Sequence, residues 1–438
     1  MDLPFLGIDP YLCSFALTSG GVLLPCLGSP GRDGEPIAVL GKHPSEARLG
    51  IAFTPSERAT LGVEWELQLV DRESRHLRQE AEELLAELPE LSSGDPPPPL
   101  RHELMQSQVE VVTGICETVE EATADLVRNL DSMRQVLEPW GTTLACAGTH
   151  PMDHWRDQKL SPGERYSELI EQMQWTARRI LTCGVHVHVG VRHRDKAIPM
   201  VNALAKYLPH LLALSASSPF WGGHDTGLAS ARSIVFGALP TAGPPPNLPH
   251  WAAFEEYLET LLRAGTIASI KEVWWDVRPH PDFGTIEIRM FDGIPTLHEV
   301  GMAAALSQSL VELFDHQLDR GYGLPSPPSW VVKDNKWRAT RYGLDAHVIT
   351  DAHGTTVPLR DDLYELVLEL GPMAARLGCA EYLDLVTETL DKGASYERQR
   401  AVVAEGGSLV DVVDMLAGEL QGDAPTRADS GAKARQAR

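Results

Sequence analysis

Four short stretches of the chain alternate strictly between apolar and polar positions, the period of a strand with two unlike faces. Over Gly62–Val70 the alternation sets Glu64, Glu66 and Gln68 against Val63, Trp65, Leu67 and Leu69. Gln106–Val112 groups Gln106, Gln108 and Glu110 on one side. In Gly184–Val191, His186 and His188 oppose four valines, and in Thr285–Met290, Thr285, Glu287 and Arg289 oppose Ile286, Ile288 and Met290. Helical spacing of apolar residues predicts helices over Leu77–Leu88, Glu117–Leu137, Glu164–Leu181, Lys196–Ala216, Trp251–Arg263 and Leu297–Leu318. Three more follow at Leu363–Leu370, Ala374–Leu390 and Leu409–Leu420. Proline clusters at Pro96–Pro99, Pro244–Pro246 and Pro325–Pro328 mark loops too short to separate domains. One catalytic domain over residues 53–420 is therefore expected, between a poorly patterned extension (1–52) and an Ala-, Gly-, Arg- and Asp-rich disordered tail (421–438).

An ordinary solvent-facing strand shows Thr, Lys and Ser on its outer side. These four show Glu, Gln, His and Arg. Placed in one sheet, they make a floor of carboxylates, imidazoles and a guanidinium, with helices over the apolar face. Crowded carboxylates repel one another unless cations compensate, and magnesium or manganese takes oxygen ligands, often with substrate phosphates attached. Glu64, Glu66, Glu110 and Glu287 are the candidate carboxylate ligands, His188 the nitrogen ligand, and Glu103, just before the second strand, within reach. Arg289 shares the face of Glu287, and its planar guanidinium suits a phosphate. Further cations come from Arg232, after a Gly-rich turn, and from Arg338 and Arg341 in the segment Lys333–Arg341, neighbours if that stretch is helical.

Each feature alone has a plainer reading. A single Glu-x-Glu is most often a solvated strand face, and His186-Val-His188 fits a zinc site or a hydrogen-bonded structural histidine equally well. Arg338 and Arg341 alone read as a surface ion pair, and Trp274 and Trp275 as core or pocket wall. The coincidence of ligand-type residues on one face of four strands raises the joint reading above these.

Charge changes the picture of partners. The 438 residues hold 61 acidic and 38 basic side chains, a formal net charge of −23. So negative a surface disfavours nucleic acid and anionic membranes, and a phosphate site must supply local cations. No run reaches the roughly 18 apolar residues of a membrane span. The six cysteines are scattered without a CxxC pair, as expected of buried free thiols in a cytoplasmic protein.

Five stretches in order resemble the glutamate–cysteine ligase type 2 family: LGVEWELQLVD (61–71), ELMQSQVEVVTGIC (103–116), CGVHVHVGV (183–191), WWDVRPHPDFGTIEIRMFD (274–292) and NKWRATRYGLDA (335–346). Together they span about residues 55–350, and the helices to about 420 fit. The resemblance implies an α+β, glutamine-synthetase-like fold whose curved, mainly antiparallel sheet holds ATP and two or three magnesium ions. It implies metal ligation by Glu64, Glu66, Glu103, Glu110, His188 and Glu287, and a phosphate-facing Arg289. Arg232 as a second catalytic arginine, and Lys333, Asn335, Arg338 and Arg341 at the nucleotide, are looser transfers. Trp65 departs from the family, many of whose members carry a third acidic residue there, but strand parity turns it off the polar face.

The implied reaction joins a small carboxylate, with L-glutamate expected, to an amine, with L-cysteine the first candidate, through an acyl-phosphate. A homo-oligomer is expected from the resemblance alone. Two other readings compete: a zinc hydrolase built on His186 and His188, and a silent homologue that only binds nucleotide.

Overall fold

The computed structural model describes residues 50–91 and 100–422, which belong to one compact unit. The expected extension and tail lie almost entirely outside the described residues, as does the cluster Pro96–Pro99. At the near edges the expectation shifts. Ile51 donates its N–H to Glu255 (3.2 Å) and Phe53 packs edge-on to Trp251, so the domain begins a little before residue 53. The last helix runs on to Gly422.

One sheet holds the alternating stretches together. Its strands are β1 (Leu61–Asp71), β2 (Leu100–His102), β3 (Gln108–Val112), β4 (Thr142–Ala145) and β5 (Gly184–Gly190). A small ribbon of β6 (Phe220–Trp221) and β7 (His224–Asp225) intervenes before β8 (Val277–His280) and β9 (Thr285–Asp292) rejoin the sheet. The order is β2-β3-β1-β5-β9-β8, with β4 pairing the far end of β1, and every pairing is antiparallel. A hairpin of β10 (His347–Ile349) and β11 (Thr356–Pro358) stands apart.

Burial follows the alternation. Val63, Trp65, Leu67, Leu69, Val185, Val187, Val189, Ile286 and Ile288 are almost fully buried in the main core. The helices Val119–Leu137, Leu297–Asp319, Arg194–Leu204 and Leu208–Ser215 pack over this side. Trp65 is wholly buried there, its indole N–H donating to the Ile294 carbonyl (3.0 Å). Thr118 and Thr296 start two of the long helices, each hydroxyl accepting the N–H three residues on, from Glu121 and Glu299 (both 3.1 Å).

Several element boundaries differ from the periodic reading. Glu164–Leu181 is broken, because Gln174 takes φ 48°, ending one helix at Met173 before a short turn of helix Trp175–Arg178. Lys196–Ala216 is interrupted by a tight 3-10 turn at Ala205–Tyr207, just ahead of Pro209, whose missing N–H breaks the ladder. The first helix starts at Ala81 rather than Leu77, since Leu77 bridges Val70. Leu363–Leu370 is part of a longer helix, Leu359–Leu377, that absorbs Pro372, and its successor is Ala380–Lys392. Gln106 lies outside β3 and donates instead to the Leu160 carbonyl (3.0 Å). Arg194–Ser215 is long and apolar enough to cross a membrane by length and composition, against the expectation of no such run, but 83% of its apolar window is buried within the fold.

Candidate active site

Register, more than alternation alone, assembles the polar floor. Glu66 lies opposite Glu110, Glu64 opposite His186, His188 opposite Glu287, Glu287 opposite Arg278, and Glu110 opposite Arg101. A bulge in the β5–β9 pairing sets Arg289 and Met290 against the single residue His186. Arg289 keeps the face that alternation gives it, beside Glu287, and Phe291 takes the place opposite Val185 that simple alternation gives Met290.

Two triads of potential ligand atoms result, each with its atoms within 4.8 Å of one another: Glu64, His186 and Glu287, and Glu66, Glu110 and His186. His186 belongs to both. Its Nδ1 is 2.9 Å from Glu64 and its Nε2 3.8 Å from Glu66. His188 belongs to neither triad. Its Nδ1 meets the Thr285 hydroxyl (3.0 Å), while its buried Nε2 makes no hydrogen bond and stands 3.7 Å from Glu64. Glu103, half-buried, has an oxygen 3.3 Å from the N–H of Leu104 and adds its charge to this neighbourhood.

The floor carries more negative charge than its own cations balance. Burial, reinforced by Glu66 and Glu64, pushes the Glu103 carboxyl up to about 8. Burial and the charges of Glu64, Glu103 and Glu66 drive Glu110 well above the usual range. For Glu287 burial also acts upward, but Arg278 and Arg289 outweigh it and hold the carboxyl well below the usual range. Glu64 is likewise held low against burial, by the hydrogen bond from His186 and by His188 close by. Arg101, 3.5 Å from Glu110, offsets only part of this crowding, and hard divalent cations would relieve the rest. The oxygen-rich donor set and the unpartnered His188 Nε2 fit such ions.

Beside the triads the sheet turns cationic. Arg278 grips Glu287 through Nε (2.7 Å) and Nη2 (3.2 Å), and Arg289 holds the same carboxylate from the other side. Gly184 shares the parity of His186 and His188, so it leaves a gap in the floor, and Arg232 fills it. A Cβ on Gly184 would come within 2.2 Å of the Arg232 Nη2 and 3.0 Å of the Phe291 carbonyl. Gly184→Ala should therefore lower stability by about 1–3 kcal/mol through overpacking, measured as a lower urea midpoint. An unchanged midpoint would mean that Arg232 moves aside freely.

Arg232 and Arg289 each bury an Nε without a hydrogen-bond partner and line one small recess with Lys336, Asp276, Trp274 and Trp275. Two arginines with free donors in one recess suit an anionic group. Lys336 meets both Asp276 oxygens (2.7 and 2.8 Å), and the Asp276 carbonyl accepts the Arg289 N–H (2.8 Å), so this ion pair braces the bulge.

The segment expected at the nucleotide is less uniform. Lys333, Asn335, Arg338 and Arg341 all lie on the helix Ser329–Tyr342. Asn335 spends its amide on the backbone of Ile349 (2.9 and 2.7 Å), and Arg338 meets Asp334 (2.6 Å) and the His347 carbonyl (3.1 Å), so both pin the β10–β11 hairpin. Arg341 donates to the Gly227 carbonyl and Lys333 is exposed. Of this helix, only Lys336 lines the recess. It was not singled out from the sequence, nor were Arg278, Arg101 and Asp276. Arg278 sits one strand out from Glu287 in Val-Arg-Pro-His, and a scan extended to four-residue strands would have found it. Arg101 lies on a three-residue strand, too short for alternation to register. From the sequence His186 reads as a zinc ligand or a hydrogen-bonded structural histidine, not as a magnesium ligand, since spacing cannot say which of two alternate histidines faces the carboxylates.

Residues 60–415 match the profile of glutamate–cysteine ligase family 2. A Thermobifida fusca protein provisionally named glutamate–cysteine ligase 2 is 73% identical over 375 residues, covering 86% of this chain and 94% of its own length. A Frankia alni protein, provisionally named glutamate–cysteine ligase 2-1, is 54% identical over 376 residues, 86% of this chain and 98% of its own. Among solved structures, the fold is similar to the glutamate–cysteine ligase of Francisella tularensis in complex with AMP (TM-score 0.61, 12% identity, 82% of this chain and 88% of that one).

Proposed function

The chain belongs to glutamate–cysteine ligase family 2 and is an ATP-dependent ligase; from that premise we propose that its polar floor joins L-glutamate to an amine, L-cysteine first among candidates, through an acyl-phosphate. The observation that carries this reading is the pair of carboxylate–imidazole triads sharing His186, with Arg289 and Arg232 alongside. Magnesium ions would be held among Glu64, Glu66, Glu110 and Glu287, with His186 the nitrogen ligand of one of them, and would supply countercharge for phosphate oxygens, with His188 and Glu103 as further ligands.

The chain's own residues do the rest. Arg278 keeps Glu287 ionised and fixed, Thr285 orients His188, and Glu64 orients His186. Arg289 and Arg232 stabilise the phosphoryl group while it is in transit. The substrate carboxylate oxygen bonds to the γ-phosphorus as the bond to the β-phosphate oxygen breaks, and ADP leaves. The amine nitrogen then bonds to the acyl carbon as the carbon–oxygen bond breaks, and the departing phosphate takes the proton. No side-chain nucleophile is needed. A zinc hydrolase is disfavoured by ligand chemistry too, since each triad holds one histidine and two carboxylates where zinc sites favour nitrogen and sulfur.

ADP release by purified protein with ATP, magnesium and L-glutamate tests this reading, with and without an amine panel that includes L-cysteine. Release should depend on the amine and stop with chelator. Release without any dependence on glutamate would overturn the donor assignment, and no release with any amine would favour the silent homologue.

A further inference from the structure

Asp292, the last residue of β9, is fully buried. Its Oδ2 accepts the Ser217 N–H (3.1 Å) and the Ser218 hydroxyl (2.7 Å), and its Oδ1 accepts the Ser230 hydroxyl (2.8 Å). Both hydroxyls are shared. The Ser218 oxygen also accepts the N–H of Arg232 (3.1 Å). The Ser230 oxygen caps the helix Ala231–Phe236 by accepting the Ser233 N–H (3.2 Å). Space beside the carboxyl group is full, since a Cβ on Gly148 would lie 2.8 Å from it.

A serine caps a helix without such help, and burying an acidic side chain is costly, so a short helix alone does not explain Asp292. What this helix carries does. Its one cation is Arg232, which lines the recess beside Arg289. Arg232 is thus tied to β9 at both ends. Its N–H reaches Asp292 through Ser218, and its Nη1 and Nη2 stand 3.5 and 3.4 Å from the carbonyls of Met290 and Arg289. Burial pushes the Asp292 carboxyl up, and the charge of Arg232 opposes that push. We propose that Asp292 is a positioning residue for phosphoryl transfer: through the hydroxyls of Ser218 and Ser230 it fixes Arg232 relative to Glu287 and Arg289, which share its strand. The inference rests on the reading of Arg232 as an arginine that faces the phosphoryl group.

A double-mutant cycle on ADP release by the full chain separates positioning from general support. Asp292→Ala should lower kcat by roughly a hundredfold, the scale of a small misplacement of a catalytic group. In an Arg232→Ala background the same change should alter the rate by no more than about twofold, because the arginine it places is gone. Equal losses in the two backgrounds would make Asp292 an ordinary structural residue and overturn the proposal, as would an unimpaired Asp292→Ala. Full activity of Arg232→Ala alone would instead overturn the reading of Arg232, and this inference with it. Amide hydrogen exchange supplies a readout independent of turnover. In Asp292→Ala the amides of Arg232 and Ser233 should exchange about fivefold faster, the worth of one hydrogen bond, with those of Glu287 and Arg289 unchanged. Unchanged exchange at Arg232 would also overturn the proposal. Where Asp292→Ala does not fold, Ser218→Ala, which removes one linking hydroxyl, should give the same faster exchange and the same loss of effect beside Arg232→Ala.

Discussion

Glu64→Gln should lower the rate of ADP release by roughly a thousandfold while leaving the protein folded. Glu64 is the centre of the floor. It lies opposite His186, receives that imidazole at 2.9 Å, faces the orphaned Nε2 of His188 at 3.7 Å, and has Arg101 at 3.5 Å. It is also a carboxylate whose ionisation the fold defends against burial, through the two histidines. The amide keeps the shape and removes the charge, so it tests ligation separately from packing. Glu110→Gln is the informative contrast. The floor already drives Glu110 toward its protonated form, so the amide replaces a neutral acid. Without added metal, that variant should unfold no earlier than the unaltered protein, and its defect should appear in magnesium dependence. Thermal unfolding and ADP release against magnesium concentration separate the two effects. Normal turnover in folded Glu64→Gln would remove Glu64 from the ligand set.

Arg398→Met should destabilise the protein by about 3–5 kcal/mol, with the polar floor untouched. Arg398 is 2% exposed and lies between two buried carboxylates. It meets Glu299 through Nη1 (2.9 Å) and Nη2 (3.1 Å), and Glu419 through Nε (2.8 Å) and Nη2 (3.1 Å). Glu299 opens the central helix Leu297–Asp319 and Glu419 sits near the end of Leu409–Gly422, so one guanidinium ties the last helix to the core. Removing it strands two carboxylates out of water. Urea midpoints measure the loss. The triple variant with Glu299→Gln and Glu419→Gln should recover much of it, because the cost lies in buried charge that has lost its guanidinium. A loss below about 1 kcal/mol in the single variant would place this cluster with ordinary surface ion pairs.

Much of the floor was legible in the chain. Alternation identified Glu64, Glu66, Glu110, Glu287 and Arg289 as polar-face residues, because a strand of five or more residues cannot hide its period. It also turned Trp65 inward, where the structure buries it. The helix Trp251–Arg263 has the bounds its periodicity predicted. What the sequence left open was short or conditional. Asn335 and Arg338 have the composition of ligand-binding residues, yet their hydrogen-bonding capacity goes to a hairpin that no local pattern announces.

The sequence by itself determined which side chains share a face, since that depends only on local backbone geometry. The tertiary structure alone decided which faces meet and in what register. Register made His186 common to both triads, the bulge at Arg289 and Met290 brought Phe291 opposite Val185, and the gap at Gly184 admitted Arg232. Charge state was decided at the same level. A glutamate's affinity for its proton depends on burial and on neighbours brought from distant segments, so Glu287 and Glu103, alike in the sequence, are driven in opposite directions by the fold.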